Sequence, residues 1–120
     1  MKFFVFGLIL FPALAAEDPS KFFDKQVAPI LKKRCLGCHN EELKDGDISF
    51  ADRDSLLKGG KHGPTIVPGK PQDSVLIHAI GHAGDVRMPP GPKLPAREIK
   101  ILTDWIKRGA PWGTNPGSER

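Results

Sequence analysis

The residues with the clearest chemical potential form one short unit, Cys-Leu-Gly-Cys-His at positions 35–39. The chain contains 2 cysteines, and this unit holds both of them, Cys35 and Cys38. Two thiols three positions apart, followed at once by the imidazole of His39, suit three chemistries. These are zinc binding, thiol–disulfide exchange and covalent attachment of a haem.

Zinc and disulfide chemistry each require features that the rest of the chain supplies poorly. A structural zinc ion takes four ligands, usually from two pairs of residues. The chain has one cysteine pair, and its remaining histidines are not at a zinc-finger spacing: His62, His78 and His82. A thioredoxin-type disulfide begins a helix after a strand, whereas this pair follows a predicted helix. A structural disulfide here would close too small a loop to stabilise much. Both chemistries remain alternatives.

Haem attachment accounts for all three residues of the unit. The thiols of Cys35 and Cys38 would form thioether bonds with the two haem vinyl groups, and His39 would bind the iron from the same side. The N-terminus supports this interpretation, because residues 1–16 have the short apolar run and small C-terminal residues of a secretory signal peptide. We therefore predict one covalent haem c and an exported mature chain, residues 17–120, periplasmic or otherwise outside the cytoplasm.

The second iron ligand is predicted to be Met88, the one methionine that remains after the signal peptide is removed. It lies in the sequence Arg-Met-Pro-Pro-Gly, where Pro89 and Pro90 restrict the backbone and prevent a helix. A thioether in such a loop is more typical of a ligand than of a core gap-filler. His82 is the best alternative ligand, and His62 and His78 are weaker ones.

Composition and charge set the broad class of the protein. A mature chain of this length is one small domain, and its few large apolar side chains predict that a cofactor or another cross-link completes the core. The formal net charge of the full chain is +4. Basic residues alternate with acidic ones, and no basic stripe with interleaved aromatic residues is present, which excludes a typical nucleic-acid-binding protein.

Apolar periodicity predicts an all-α fold with long Pro/Gly-rich loops. The first helix, capped by Ser20, is expected to kink or restart at Pro29. A later helix is expected to have Asp73 or Ser74 as its cap, and residues 82–95 contain too many prolines for regular structure. The acidic turn within residues 40–50 is expected to be solvated, because Leu43 occupies a ligand position of a calcium loop. The predicted helices are residues 20–35, 52–58, about 75–80 and 96–109.

Four segments together resemble a known family. They are FxxxVxPILxxRCxxCH at 23–39, GGKHGPTIVPGKPQDSVLIHAI at 59–80, RMPP at 87–90 and EIKILTDWIKRGAPW at 98–112. They are similar to the small cytochrome c domain of planctomycete-type secreted proteins, which is grouped with the class I c-type cytochromes. The resemblance implies haem attachment through Cys35 and Cys38, with His39 as the proximal ligand and Met88 as the distal ligand.

The resemblance also implies a fold and a function. Three to five helices would surround the haem, and the first and last would cross beside it, with Phe23 or Val27 against Ile99, Leu102 or Ile106. The expected function is a one-electron carrier rather than an enzyme. It would be a monomer with transient protein redox partners and no membrane attachment after signal cleavage. The alternatives are a haem sensor or enzyme with an open distal position, and a docking module with a structural haem.

Overall fold

Helices dominate the computed structural model, which describes residues 18–40 and 42–118 together with Gly7. The predicted signal peptide, residues 1–16, lies outside the described residues except for Gly7. Within the two described ranges, β pairing is limited to isolated bridges between His39 and Lys44 and between Gly60 and Gly63. The all-α prediction is thus confirmed there. The helical segments are α1 Pro19–Phe22, a π-helical turn Phe23–Val27, α2 Ala28–Arg34, α3 Arg53–Lys58, α4 Val75–Ile80 and α5 Ala96–Lys107, with short 3-10 turns at Asp45–Asp47 and Pro71–Asp73.

The N-terminal cap of α1 is Asp18, so the prediction of Ser20 was wrong. The Asp18 carboxylate accepts hydrogen bonds from the backbone N–H and the hydroxyl of Ser20, at 2.9 and 2.8 Å. Pro19 is the first helical residue, where its missing N–H costs nothing because the first N–H groups of a helix have no intrahelical partner. A carboxylate at this position also interacts favourably with the positive end of the helix dipole.

Pro29 interrupts the first helical segment, as predicted. Proline has no N–H to donate to the carbonyl of Lys25, four residues earlier. The turn before it is widened, since the N–H of Ala28 bonds to the carbonyl of Phe23, five residues earlier. Helix α2 then begins at Ala28 with Pro29 in its first turn. The apolar residues of this segment remain on one buried face in spite of the interruption, including Phe23, Val27, Ile30 and Leu31.

The first and last helical segments meet in an aromatic cluster, in which Phe23 contacts Trp105 of α5, a residue that was not among the predicted partners Ile99, Leu102 and Ile106. The ring of Phe23 lies 5.8 Å from that of Trp105 and 4.1 Å from that of Trp112, between centroids. Trp105 is fully buried, and its indole N–H donates to the carbonyl of Pro111 at 2.7 Å. Trp105 thus lies in the centre of the contact between the two segments.

Helix α5 ends two residues before its predicted end, and α3 helps to close it. The helix stops at Lys107, and Gly109 has a φ of 95°, a left-handed conformation that favours glycine. The Arg53 guanidinium donates to the carbonyls of Ala110 and Gly109, at 3.0 and 3.2 Å. Arg53 therefore satisfies carbonyl groups at the end of α5 and joins α3 to it.

The entry to α4 uses Ser74, but not as a side-chain cap. Ser74 occupies the N-cap position. Its hydroxyl instead accepts from the N–H of Val67 at 2.8 Å and donates to the carbonyl of Lys70 at 3.0 Å, which holds the preceding loop closed.

In residues 18–40 and 42–118, no helix combines the length and apolar character needed to cross a membrane.

Candidate functional site

One cavity brings together the four residues that the sequence singled out. It measures about 200 Å³ and is bounded by the end of α2, by α4 and by the loops before and after α4. Its wall is mostly apolar, from Ile48, Phe50, Val75, Leu76, Ala79, Ile80, Val86 and Leu94. Cys35, Cys38, His39 and Met88 all line it, together with Pro89 and Pro90. Two thiols, an imidazole and a thioether thus share one apolar chamber.

The cysteine pair lies at the C-terminal end of α2. The N–H of Cys35 still bonds to the carbonyl of Leu31 at 3.0 Å, and the N–H of His39 bonds to the carbonyl of Cys35 at 3.1 Å. Both cysteines are free thiols, with Cys35 partly buried and Cys38 exposed. Burial raises the pKa of the Cys35 thiol to about 12, so this thiol is neutral at ordinary pH in this conformation. A redox-active cysteine is typically the opposite, with a lowered pKa and an exposed sulfur.

His39 is held in place by its backbone and by packing. It is 8% exposed, its carbonyl accepts from the N–H of Phe50 at 2.6 Å, and the two rings lie 5.6 Å apart. Its Nδ1 atom is buried without a hydrogen-bond partner in the described part of the chain. A buried imidazole with an unused nitrogen is suited to bind something other than protein.

Thr65 is a cavity residue that sequence reasoning missed. It is 2% exposed, and its hydroxyl is buried without a partner among the described residues. Its main chain is fixed, because its N–H donates to the carbonyl of Leu56 and its carbonyl accepts from the N–H of Leu76. A buried polar group without a partner costs roughly 1–3 kcal/mol. No sequence signal distinguishes this threonine, but in the fold it offers an unpaired hydroxyl to whatever fills the cavity.

Met88 is anchored through its main chain. Its N–H donates to the carbonyl of Ala79 at 3.0 Å, and its carbonyl lies 3.1 Å from Nε2 of His82. Of the three histidines considered as alternative ligands, His62 lines the cavity and is exposed, whereas His82 and His78 lie outside its wall. The Nε2 atom of His78 lies 2.6 Å from the carbonyl of Gln72.

An ion pair links the cavity wall to α5. Arg34, which lines the cavity, donates from Nε and Nη2 to the two carboxylate oxygens of Glu98, at 3.1 and 2.9 Å. The Glu98 side chain is 13% exposed. The hydrogen bonds from Arg34 hold the pKa of Glu98 below its ordinary value, and those same bonds raise the pKa of Arg34. This contact joins the last residue of α2, next to Cys35, to the first turn of α5.

A pH dependence follows from the Arg34–Glu98 pair. Because the pKa of Glu98 is lowered on folding, the pair stabilises the fold above the ordinary carboxyl pKa, and this contribution is lost as the pH falls below it. We expect the midpoint of thermal unfolding to fall less between about pH 5 and pH 3 in Glu98→Gln than in the native protein. The exposed Glu42→Gln variant is the control and should follow the native curve. Parallel curves for the native protein and Glu98→Gln would contradict this expectation.

Metal binding by protein side chains alone finds no support in residues 18–40 and 42–118. No three His, Cys, Asp or Glu residues come together there as a metal site. The acidic turn at Asp45–Asp47 is exposed, as predicted. The lining residues instead suit a largely apolar group with an iron centre and a few polar substituents, which is the description of a haem. Its apolar wall, paired thiols, soft and imidazole donors and unpaired polar atoms each match a part of that group.

A family model and a curated relative agree with this interpretation. Residues 35–92 match a family model described as Planctomycete cytochrome C. Over 88 residues the chain is 30% identical to cytochrome c-551 of Allochromatium vinosum, an alignment that covers 73% of this chain and 87% of that protein. Among solved structures, hydrazine synthase of Kuenenia stuttgartiensis is similar with a TM-score of 0.48 and 22% identity. That match covers 81% of this chain but 17% of the other.

Proposed function

Because the chain belongs to the planctomycete-type family of c-type cytochromes, we propose that it is an exported monohaem electron carrier with His39 and Met88 as its iron ligands. Family membership gives a covalently attached haem c. Its attachment through Cys35 and Cys38 is part of the proposal. The number of haems, the two iron ligands, the carrier role and the export are the proposal. The sequence contains one such unit, which supports one haem per chain.

The observation that carries the proposal is the shared cavity of Cys35, Cys38, His39 and Met88. The two cysteines would fix the haem edge beside the end of α2. His39 and Met88 come from different segments, one directly after α2 and the other in the loop between α4 and α5. Because His39 and Met88 line the same cavity, both could bind the iron of one haem. The protein would then leave no position on the iron open for a substrate.

Electron transfer follows from what these residues do around the cofactor. A bound haem c supplies an iron that gains and loses a single electron. The pairing of His39 with Met88 favours a higher potential than two histidines would give. The apolar wall, with Phe50, Leu76 and Ile80, excludes water and disfavours the extra charge of the oxidised state, which raises the potential further.

The proposal includes export and transient partners. Residues 1–16 would direct export and be removed, since covalent haem attachment to such a unit accompanies secretion. Cys38 is exposed while Cys35 is partly buried, so the attached edge of the haem would reach the surface beside Cys38. A redox partner would approach there in a small, short-lived contact. Removal of Lys2 with residues 1–16 would lower the formal charge from +4 to +3, which gives slight attraction to acidic partners.

Three measurements on the purified protein test the proposal. The reduced pyridine haemochrome spectrum should show one c-type haem per chain. The untouched ferrous protein should not bind carbon monoxide, because both axial positions are filled, and a redox titration should follow a one-electron curve. Rapid carbon monoxide binding would instead identify a haem sensor or enzyme with an open distal position. More than one haem per chain would contradict the monohaem assignment.

A further inference from the structure

The imidazole of His82, just after α4, contacts the main chain of Met88. We propose that His82 is a positioning residue that fixes Met88 by donating a hydrogen bond to its carbonyl, so that the thioether remains in the cavity. The inference rests on the proposed ligation of iron by Met88. It assigns to His82 a role different from the ligand role considered above.

Three hydrogen bonds define the anchor. The carbonyl of Ala79, in the last turn of α4, accepts from the N–H of Met88 at 3.0 Å and from the N–H of His82 at 3.2 Å. The imidazole of His82 lies with Nε2 at 3.1 Å from the carbonyl of Met88. A carbonyl only accepts, so Nε2 of His82 must carry a proton and donate. Both polar groups of the Met88 main chain are thereby satisfied by the end of α4.

The backbone of His82 is arranged to make this contact. Its φ is 53°, in the left-handed region that residues other than glycine adopt infrequently. Such a conformation is retained where the surrounding structure requires it. Here it reverses the chain directly after α4, and the ring returns to Met88 six residues later. The intervening residues 83–85 and 87 are exposed, so His82 closes a loop that has little packing of its own.

The arrangement also removes His82 from competition for the iron. Its Nε2 is engaged with the Met88 carbonyl, and the residue lies outside the cavity wall. Without the imidazole, Met88 would retain its bond to Ala79 and the restriction from Pro89. The thioether would then leave the iron more often, and an external ligand would enter more readily.

The test measures imidazole binding to the ferric holoprotein, followed by loss of the weak methionine–iron absorption band. Binding should be about three- to tenfold faster in His82→Ala than in the native protein, the range expected for loss of one hydrogen bond. His82→Gln, which restores a donor, should be slower than His82→Ala. His78→Ala is the matched control, because it removes an imidazole–carbonyl contact of 2.6 Å beside the same helix, and it should leave the rate unchanged.

Two further measurements separate positioning from general stability. The free energy of global unfolding, measured by far-ultraviolet circular dichroism, should change little in His82→Ala, whereas the rate of imidazole binding should rise. His82→Gly permits the left-handed backbone but has no ring, and it should be as fast as His82→Ala. A native rate in His82→Ala or His82→Gly, or equal acceleration in His78→Ala, would overturn the inference while leaving the proposed ligand pair intact. A native ferric protein without a methionine–iron band would instead refute Met88 ligation itself.

Discussion

Replacement of both Cys35 and Cys38 by serine is expected to leave the chain largely unfolded when expressed with the haem-attachment machinery. The cavity wall is made of apolar side chains that need an occupant, among them Phe50, Leu76, Ile80 and Leu94. A haem in this cavity would bury further apolar area against the wall, and each Å² of apolar area removed from water contributes about 25 cal/mol. A domain of this size is stable by only about 5–15 kcal/mol, so it has little stability to spare.

Far-ultraviolet circular dichroism and tryptophan fluorescence measure this outcome together. Trp105 is fully buried against Phe23 in the native fold, so its emission should shift to that of an exposed indole in the double variant. Cys38→Ser is the matched control, because it would retain the proposed thioether at Cys35 and should remain folded with a lower midpoint of thermal unfolding. A cooperative thermal transition in the double variant, with a midpoint near that of the holoprotein, would show that the protein core suffices without haem.

Local sequence patterns predicted those parts of the fold that depend on neighbours along the chain. Helix α3 was predicted to within one residue. It begins at Arg53 and not at residue 52, because the Asp52 carboxylate caps it by accepting from the N–H of Ser55 at 2.8 Å. Helix α5 was predicted from its apolar period and Gly109. Asp18 was missed at the first helix because Ser20 is an equally good cap in sequence, and only the backbone geometry decides between them.

The contacts that could not be predicted join residues far apart in sequence. Nothing in the sequence pairs Arg34 with Glu98, or directs Arg53 to the carbonyls after α5. The π-helical turn was missed because Pro29 predicts only that the regular bonding stops, not how the preceding turn rearranges. At the site, residue type was enough to select Met88, but the bond from His82 depends on a left-handed backbone that sequence does not reveal.

The variant Met88→Ala is expected to open the iron while leaving the fold intact. The proposed thioether attachments at Cys35 and Cys38 and the proposed ligand His39 would remain, so the circular dichroism spectrum should be native. The weak ferric band near the red end of the spectrum should disappear, and the ferrous protein should bind carbon monoxide stoichiometrically. Loss of the thioether should also lower the reduction potential by more than about 59 mV, which corresponds to a tenfold change in a one-electron equilibrium.

Two companion variants make the result specific to the thioether. Val86→Ala trims the same cavity wall without removing a donor, so its band and its inertness to carbon monoxide should be native. His62 also lines the cavity and is exposed, which makes it the residue placed to replace a missing ligand. If Met88→Ala stays low-spin because His62 has replaced the missing ligand, the low-spin state should be lost in Met88→Ala/His62→Ala. A native band in Met88→Ala would show that the distal donor is not Met88, and the closed His39–Met88 iron site would then have to be abandoned.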